Sequence, residues 1–320
     1  MKGFILAAGL GTRLRPLTNQ CAKPALPVLG IPTFWYGLWY MVKELGIKEI
    51  AINCGHAKES LEPWVHHPLL KKWDVNVFLS DESNGILGSS GGLKKIQDWL
   101  GDTLLAVYNG DCISTPPWKK LLKMHQKSKG FMTLGLRKHQ NSVESYTDIE
   151  CDTFGRVLNF GPKKNSGIMF SGAYFIESQA LKRLPEGKSE LMETLLKPLS
   201  QERQLFAAVD EFPWFDTGTV KTYFETQFEL MKTLPEFKPL VEELMKEIKP
   251  GCYIPKNWKS ETIKADLVAP VVMTGEYSEW KTHLENPKLK FGPKFIGIKP
   301  PKENGTYSEN ISFESGLISS

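Results

Sequence analysis

Along residues 1–140, short apolar runs alternate with longer stretches whose polar positions recur at helical spacing. KGFILAA (2–8) is an apolar run ending in small residues and Gly9, which predicts a buried strand feeding a loop. PTFWYGLWYMVKEL (32–45) is apolar all round and stops at Gly46, as a buried helix with a glycine C-cap does. Its aromatics Trp35, Tyr36, Trp39 and Tyr40 therefore read as core. IKEIAINC (47–54) predicts a second strand, residues 57–65 a helix, and VNVFLS (75–80) an alternating strand. NGILGSSGG (84–92) reads as a glycine-rich loop before a helix at 93–100. TLLAVYNGD (103–111) is a strong strand that ends in a turn and an acid. PPWKKLLKMHQK (116–127) carries prolines where a helix tolerates them, at its start, and FMTLGLRK (131–138) returns to strand.

This repetition predicts an α/β protein with a largely parallel sheet covered by helices on both faces. Strands near 147–150, 156–160 and 168–176 then crowd together, so a partly antiparallel region follows. Helices are expected at 178–184 and 189–200, a strand at 205–210, a turn at Phe215–Gly218 and a closing helix at 219–233. From 235 the chain changes character, with recurrent prolines, few periodic runs and a polar tail. A helix is expected at 238–248, and TIKADLVAPVVMTG (262–275) has a hexapeptide, β-helix-like rhythm with room for at most two turns. The chain thus divides into a site-bearing domain, 1–234, and a C-terminal extension, 235–320, of one helix plus short strands. The extension is a candidate dimerisation element, partial β-helix cap or lid.

Composition narrows the class. With 320 residues, 41% hydrophobic and 24% charged, the chain is neither disordered, collagen-like nor a coiled coil. No apolar run reaches the ~18 residues of a bilayer span, and the opening residues are too glycine-rich for a signal peptide. The net charge of +4 and pI near 8.6 suit an anionic small substrate and form no basic stripe for nucleic acid. Five scattered cysteines without a CxxC pair point to reduced thiols in a cytoplasm. The six histidines show no zinc spacing.

Four segments carry candidate chemistry. In LAAGLGTRLRPLT (6–18), Gly9 and Gly11 let backbone N–H groups approach an anion, and Arg13 adds a fixed cation. The third glycine of a dinucleotide fingerprint would fall at Leu14, and no GxxxxGK[ST] run exists, so neither standard nucleotide loop is present. In CAKPALPVLGIP (21–32), Lys23 precedes Pro24, which favours an extended conformation and a lysine on a rigid loop. Asp111 follows the strand of 103–111 at the strand end where α/β sheets bind ligands. It is either a Mg²⁺ ligand or the cap of the next helix. Asp216, in EFPWFDTGTVKTY (211–223), has the same two readings.

In combination these segments are far more specific. LAAGLGTRLRPLT, then KPALPV, then NGD, then DTGT resembles the sugar-1-phosphate nucleotidylyltransferases over residues 1–234. The resemblance implies a Rossmann-like mixed, mostly parallel sheet flanked by helices. It implies Mg²⁺-dependent transfer of a nucleoside monophosphate from an NTP to a sugar 1-phosphate, with release of pyrophosphate. By that analogy Ala8, Gly9, Gly11 and Thr12 hold the nucleotide, Arg13 the pyrophosphate and Lys23 the α-phosphate. Asp111 and Asp216 correspond to the metal carboxylates. LGSSGG (87–92) resembles a loop that approaches the base, with Gly88 and Ser89 as contacts and Glu82 near the base edge. Such transfers rest on positioning and electrostatics, and the acceptor phosphate is already ionised, so no nucleophilic side chain or general base is required.

The sugar side departs from the family. NFGPKKNSG (159–167) lacks the Glu-Lys-Pro motif, which leaves Lys163 or Lys164 as the sugar-phosphate cation and Gly172 of FSGAY (170–174) close to the sugar. The LGSSGG loop is most similar to mannose-1-phosphate guanylyltransferases. NCGHAKESLE (53–62) and FSGAY are similar to the uridylyltransferase that acts on N-acetylmuramate 1-phosphate. Guanylyl transfer to mannose 1-phosphate is the expectation. Uridylyl transfer and a non-catalytic nucleotide-sugar-binding regulator are the alternatives. Asn53 and His56 read as structural.

Overall fold

The computed structural model describes residues 1–138, 146–161, 167–233, 235–250 and 252–264, and then only short strand segments between 266 and 319. A nine-stranded mixed sheet organises the first part. Its parallel centre is β1 (Lys2–Leu6), flanked by β2 (Glu49–Cys54) and β4 (Leu105–Asn109), with β3 (Asn76–Asp81) beyond β2. Successive residues of these strands alternate between two cores. Phe4, Ala51, Leu105 and Val107 face one side, while Ile5, Ile50, Ile52 and Tyr108 face the other. Burial on both faces explains why the strands are nearly continuous apolar runs.

The sheet turns antiparallel where the sequence predicts crowding. The strand β9 (Ile168–Ile176) runs antiparallel to β4 and to β6 (Met132–Lys138), and β10 (Leu205–Asp210) continues parallel to β6. A hairpin of β7 (Asp148–Cys151) and β8 (Val157–Gly161) completes that edge. Between Phe170 and Tyr174 the register of β9 shifts, and Gly172 sits there at φ +84°.

The first long helix, α1 (Thr33–Leu45), stops where Gly46 adopts the left-handed conformation and donates to the Val42 carbonyl at 2.9 Å. Trp35 packs edge-on to Trp64 and His67 at 5.1 and 5.0 Å. Tyr36, Trp39 and Tyr40 surround Phe237, which inserts from beyond residue 234. Trp35 and Tyr36 are fully buried core, and Trp39 and Tyr40 are half-buried against it.

Four local expectations change. The helix expected at 57–65 is a short 3-10 turn, Lys58–Ser60, followed by Glu62–Val65. The glycine-rich run is helical from Gly88, the start of α2 (Gly88–Lys95). Residues Trp214–Asp216 form a strand, β11, rather than a turn, because they pair antiparallel with β5 (Cys112–Ser114). The helix beyond 237 ends at Leu244, and Met245–Lys249 pairs as a strand with Cys252–Pro255.

The C-terminal strands stack further than the expected two turns. Cys252–Pro255, Val271–Met273, Phe295–Gly297 and Asn310–Phe313 pair in parallel, each with the next. Asp266–Leu267, Lys290–Phe291 and Thr306–Tyr307 form a second parallel stack. Strands of two to four residues persist there because neighbours above and below satisfy their backbone, as in a solenoid.

Candidate functional site

The carboxyl ends of β1, β2, β3 and β4 open on one side of the sheet, where ligands of α/β folds bind. A cavity of about 320 Å³ lies there. Ala8, Gly9, Lys23, Glu82, Gly88, Ser89 and Asp111 all line it, joined by Asn53, Asn109 and Glu190. Seven residues singled out from the sequence thus meet in one space.

The loop after β1 forms one end. A Cβ on Gly9 would meet no protein atom within 4 Å, so the backbone there faces open space. Gly11 has φ +61°, and a Cβ would stand 2.9 Å from Thr18 Cγ2 and 3.0 Å from Lys23 Cβ. Glycine is therefore required both for the turn and for bringing Lys23 against it. The Thr18 hydroxyl donates to the Gly11 carbonyl at 2.8 Å and pins the turn. Thr12 and Arg13 follow in a single 3-10 turn, Thr12–Leu14.

Lys23 opens a second 3-10 turn, Lys23–Ala25, where an extended residue was expected; the extended position is Ala22. Proline fits the first turn of such a helix, and that preference prevails over the pre-proline bias. Only 7% of Lys23 is exposed, and its ammonium donates to Asp111 Oδ2 at 2.6 Å. A solvated lysine is thereby ruled out.

Asp111 caps no helix, because β5 follows it directly. The β5–β11 ladder sets Asp216 opposite Cys112, and the Thr217 hydroxyl donates to the Asp111 carbonyl at 2.8 Å. The two acids from segments about a hundred residues apart are therefore neighbours. A Cβ on Gly218 would stand 2.6 Å from Asp216 Oδ1 and 3.0 Å from Arg13 Nη2, so Gly218 leaves room for both side chains. The Tyr146 hydroxyl donates to Asp216 Oδ2 at 3.2 Å. Burial, then the Asp216 charge, push this phenol up to about 12. Burial and Asp111, with a smaller push from Asp216, raise the Cys112 thiol far above its usual value.

Among the described residues no cluster of three or more His, Cys, Asp or Glu could hold a metal alone. Asp111 and Asp216, on adjoining strand ends, are the donor type that suits Mg²⁺, a hard cation that keeps several waters and takes one or two carboxylates plus substrate phosphates.

The other end is different. Glu82 is 2% exposed, with Oε1 accepting from Asn53 Nδ2 at 2.8 Å and Oε2 from the Leu87 N–H at 2.9 Å. Asn53 Oδ1 in turn accepts from the Ala7 N–H at 2.6 Å, so Asn53 ties the first loop to Glu82. His56 Nε2 lies 2.6 Å from the Thr18 carbonyl oxygen. Both residues do structural work. Gly88 has φ +74°, and a Cβ there would stand 2.6 Å from both Glu190 Oε1 and the Ser189 carbonyl. The Ser89 hydroxyl donates to Glu190 Oε2 at 2.8 Å and accepts from the Leu191 N–H at 2.8 Å. The start of α2 is thus held by a segment a hundred residues later, which is why a glycine-rich run can begin a helix.

Gly172 lies behind the cavity rather than on its wall. A Cβ there would be 2.8 Å from Asn109 Cβ and Cγ, so this glycine lets β9 close against Asn109. Lys163 and Lys164 lie outside the described residues. Glu190, Asn109 and Tyr146 were not found from the sequence. Asn109 sits in the NGD run and could have been included, whereas Glu190 and Tyr146 carry no local signal.

The sequence model of the family described as nucleotidyl transferase matches residues 2–233. A UTP–glucose-1-phosphate uridylyltransferase of Synechocystis is 28% identical over 315 residues, covering 93% of this chain and 78% of its own length. A mannose-1-phosphate guanylyltransferase of Mycobacterium tuberculosis is 25% identical over 234 residues, 71% of this chain; the chain spans 64% of that relative. The crystal structure of a UDP-glucose pyrophosphorylase with UDP-glucose superposes with a TM-score of 0.62 at 18% identity, covering 72% of this chain and 98% of that one.

Proposed function

The chain belongs to the nucleotidyl transferase family and is a sugar-1-phosphate nucleotidylyltransferase, and from that premise we propose that it makes a GDP-sugar from GTP and mannose 1-phosphate. The observation that supports the reaction class is the β5–β11 pairing, which brings the Asp216 segment next to Asp111, with Lys23 paired to Asp111 and Arg13 near Asp216 across Gly218. Carboxylates at the far end of the cavity support a base rich in N–H donors, which is guanine.

The reaction joins two polyanions. A phosphate oxygen of the sugar 1-phosphate attacks the α-phosphorus of the NTP, forming a P–O bond while the bond to pyrophosphate breaks. The loop from Ala8 to Thr12 presents backbone N–H groups to the phosphates. Lys23 neutralises the α-phosphate, released for that task from Asp111. Arg13 takes the charge that grows on pyrophosphate. Asp111 and Asp216 would hold Mg²⁺, which when bound supplies further positive charge to the phosphates. Lys23 is buried and the Gly11 turn is pinned by Thr18 before substrate arrives, so these two parts need little reorganisation in the transition state.

A second reading is favoured by one observation. The relative aligned over 93% of the chain, C-terminal strands included, is a uridylyltransferase for glucose 1-phosphate. A competition separates the two. The enzyme is given equal GTP and UTP with equal mannose and glucose 1-phosphates, and products are identified by mass. GDP-mannose as the main product is expected. UDP-glucose as the main product would replace the first reading with the second.

A further inference from the structure

Glu190 is held in a way that the reaction at the phosphates does not explain. Its Oε2 accepts from both the N–H and the hydroxyl of Ser89, at 3.3 and 2.8 Å. Its Oε1 stands 2.6 Å from where a Gly88 Cβ would be, and both residues line the substrate cavity. The backbone around it is also fixed. The Ser189 N–H donates to the Leu87 carbonyl at 2.8 Å, and the Ser189 carbonyl accepts from Ser90 at 3.1 Å. A charged acceptor on the exposed rim of the cavity is thus oriented by two donors through one oxygen, which leaves the second with no hydrogen bond to the described residues. No cation pairs with Glu190 among the described residues.

A carboxylate beside a polyanion's phosphates would repel them. This one is held on Gly88 and Ser89, next to the Leu87 N–H that Glu82 accepts from, and not on the Lys23–Asp111 pair; a nucleotide bound by its phosphates at Lys23 can put its base there. An ionised carboxylate only accepts hydrogen bonds. Guanine presents adjacent N1–H and N2–H₂ donors on one edge. Uracil presents a single N–H between two carbonyl oxygens, which such an acceptor disfavours. The geometry points to Glu190 as a specificity-determining residue that selects guanine over uracil by accepting from the guanine edge at Gly88. This inference rests on the guanylyl-transfer reading and assigns its base choice to a named atom, Glu190 Oε1.

Glu190→Gln keeps one acceptor for Ser89 and turns the other oxygen into a donor. Calorimetric affinities of the full chain for GTP, ITP and UTP, without sugar, test the assignment. Wild type is expected to bind GTP more tightly than ITP, which lacks the 2-amino group, and both more tightly than UTP. In Glu190→Gln the GTP-to-UTP affinity ratio falls about tenfold or more and GTP approaches ITP. A purely structural Glu190 would weaken all three nucleotides alike, and an unchanged ratio overturns the assignment. Wild type binding ITP as tightly as GTP also overturns it, whether or not the variant folds. Wild type preferring UTP overturns the guanylyl reading itself, and that result needs no variant.

Discussion

Lys23 and Asp111 line the cavity as an ion pair, with Asp216 and Arg13 beyond its wall about Gly218; Glu82 and Glu190 line it with no ion pair among the described residues. The first set mixes charges of both signs, and its cation and anion already touch, Lys23 against Asp111 at 2.6 Å. The second set is acceptors held by neutral donors, Asn53 and Leu87 on Glu82 and Ser89 on Glu190. Phosphates are common to every NTP, so the mixed-charge set can drive chemistry without reading identity. Bases differ in their donors and acceptors, so the acceptor set can read identity without taking part in chemistry. The division predicts that substitutions in the two sets fail in different ways.

Lys23→Ala should have the largest effect. Removing a preorganised cation from a developing anion costs about 10²–10³ in kcat. The loss should be the same with GTP and UTP in steady-state assays, and a change in their ratio would break the division. Gly11→Ala comes next. It forces a side chain into φ +61° and against Thr18 and Lys23, with a strain of about 1–2 kcal/mol and roughly a tenfold fall in kcat/KM for every nucleotide. Glu82→Gln should act oppositely, lowering the GTP-to-UTP preference a few-fold and leaving kcat for the better nucleotide within about threefold. The smallest effect is expected at Tyr146. A phenol raised from 10.0 to about 12 keeps its proton through pH 10, so its hydrogen bond to Asp216 survives there. Tyr146→Phe should therefore leave the shape of the pH–rate profile between 7 and 10 unchanged.

The same contrast governs what the sequence reveals. Strands 168–176 and 205–210 are legible to their end residues because each is an apolar run bounded by turn or polar residues. The phosphate end is legible because its glycines, Lys23 and the two acids sit in short motifs at strand ends. That Asp111 and Asp216 meet is not legible. Their proximity depends on β11 pairing with β5, and three residues, Trp214–Asp216, carry too little pattern to announce a strand. The base end is less legible still. Gly88 starts a helix only because Ser189 and Glu190 satisfy its first N–H groups, and glycine-rich local propensity points the other way. Beyond residue 250, strands of two to four residues are held by their stacked neighbours, so their number exceeds what one hexapeptide rhythm suggests.

If Asp111 and Asp216, brought together by the β5–β11 ladder, form the charge centre of nucleotidyl transfer, then losing either one stops turnover without unfolding the chain. Pyrophosphate release by wild type and Asp216→Asn, with GTP, mannose 1-phosphate and a Mg²⁺ titration, tests it most directly. Release by wild type is expected only with both substrates and Mg²⁺. In Asp216→Asn release should fall by about 10² or more, with the thermal transition within a few degrees of wild type. Release by Asp216→Asn at the wild-type rate and the same Mg²⁺ dependence would contradict it.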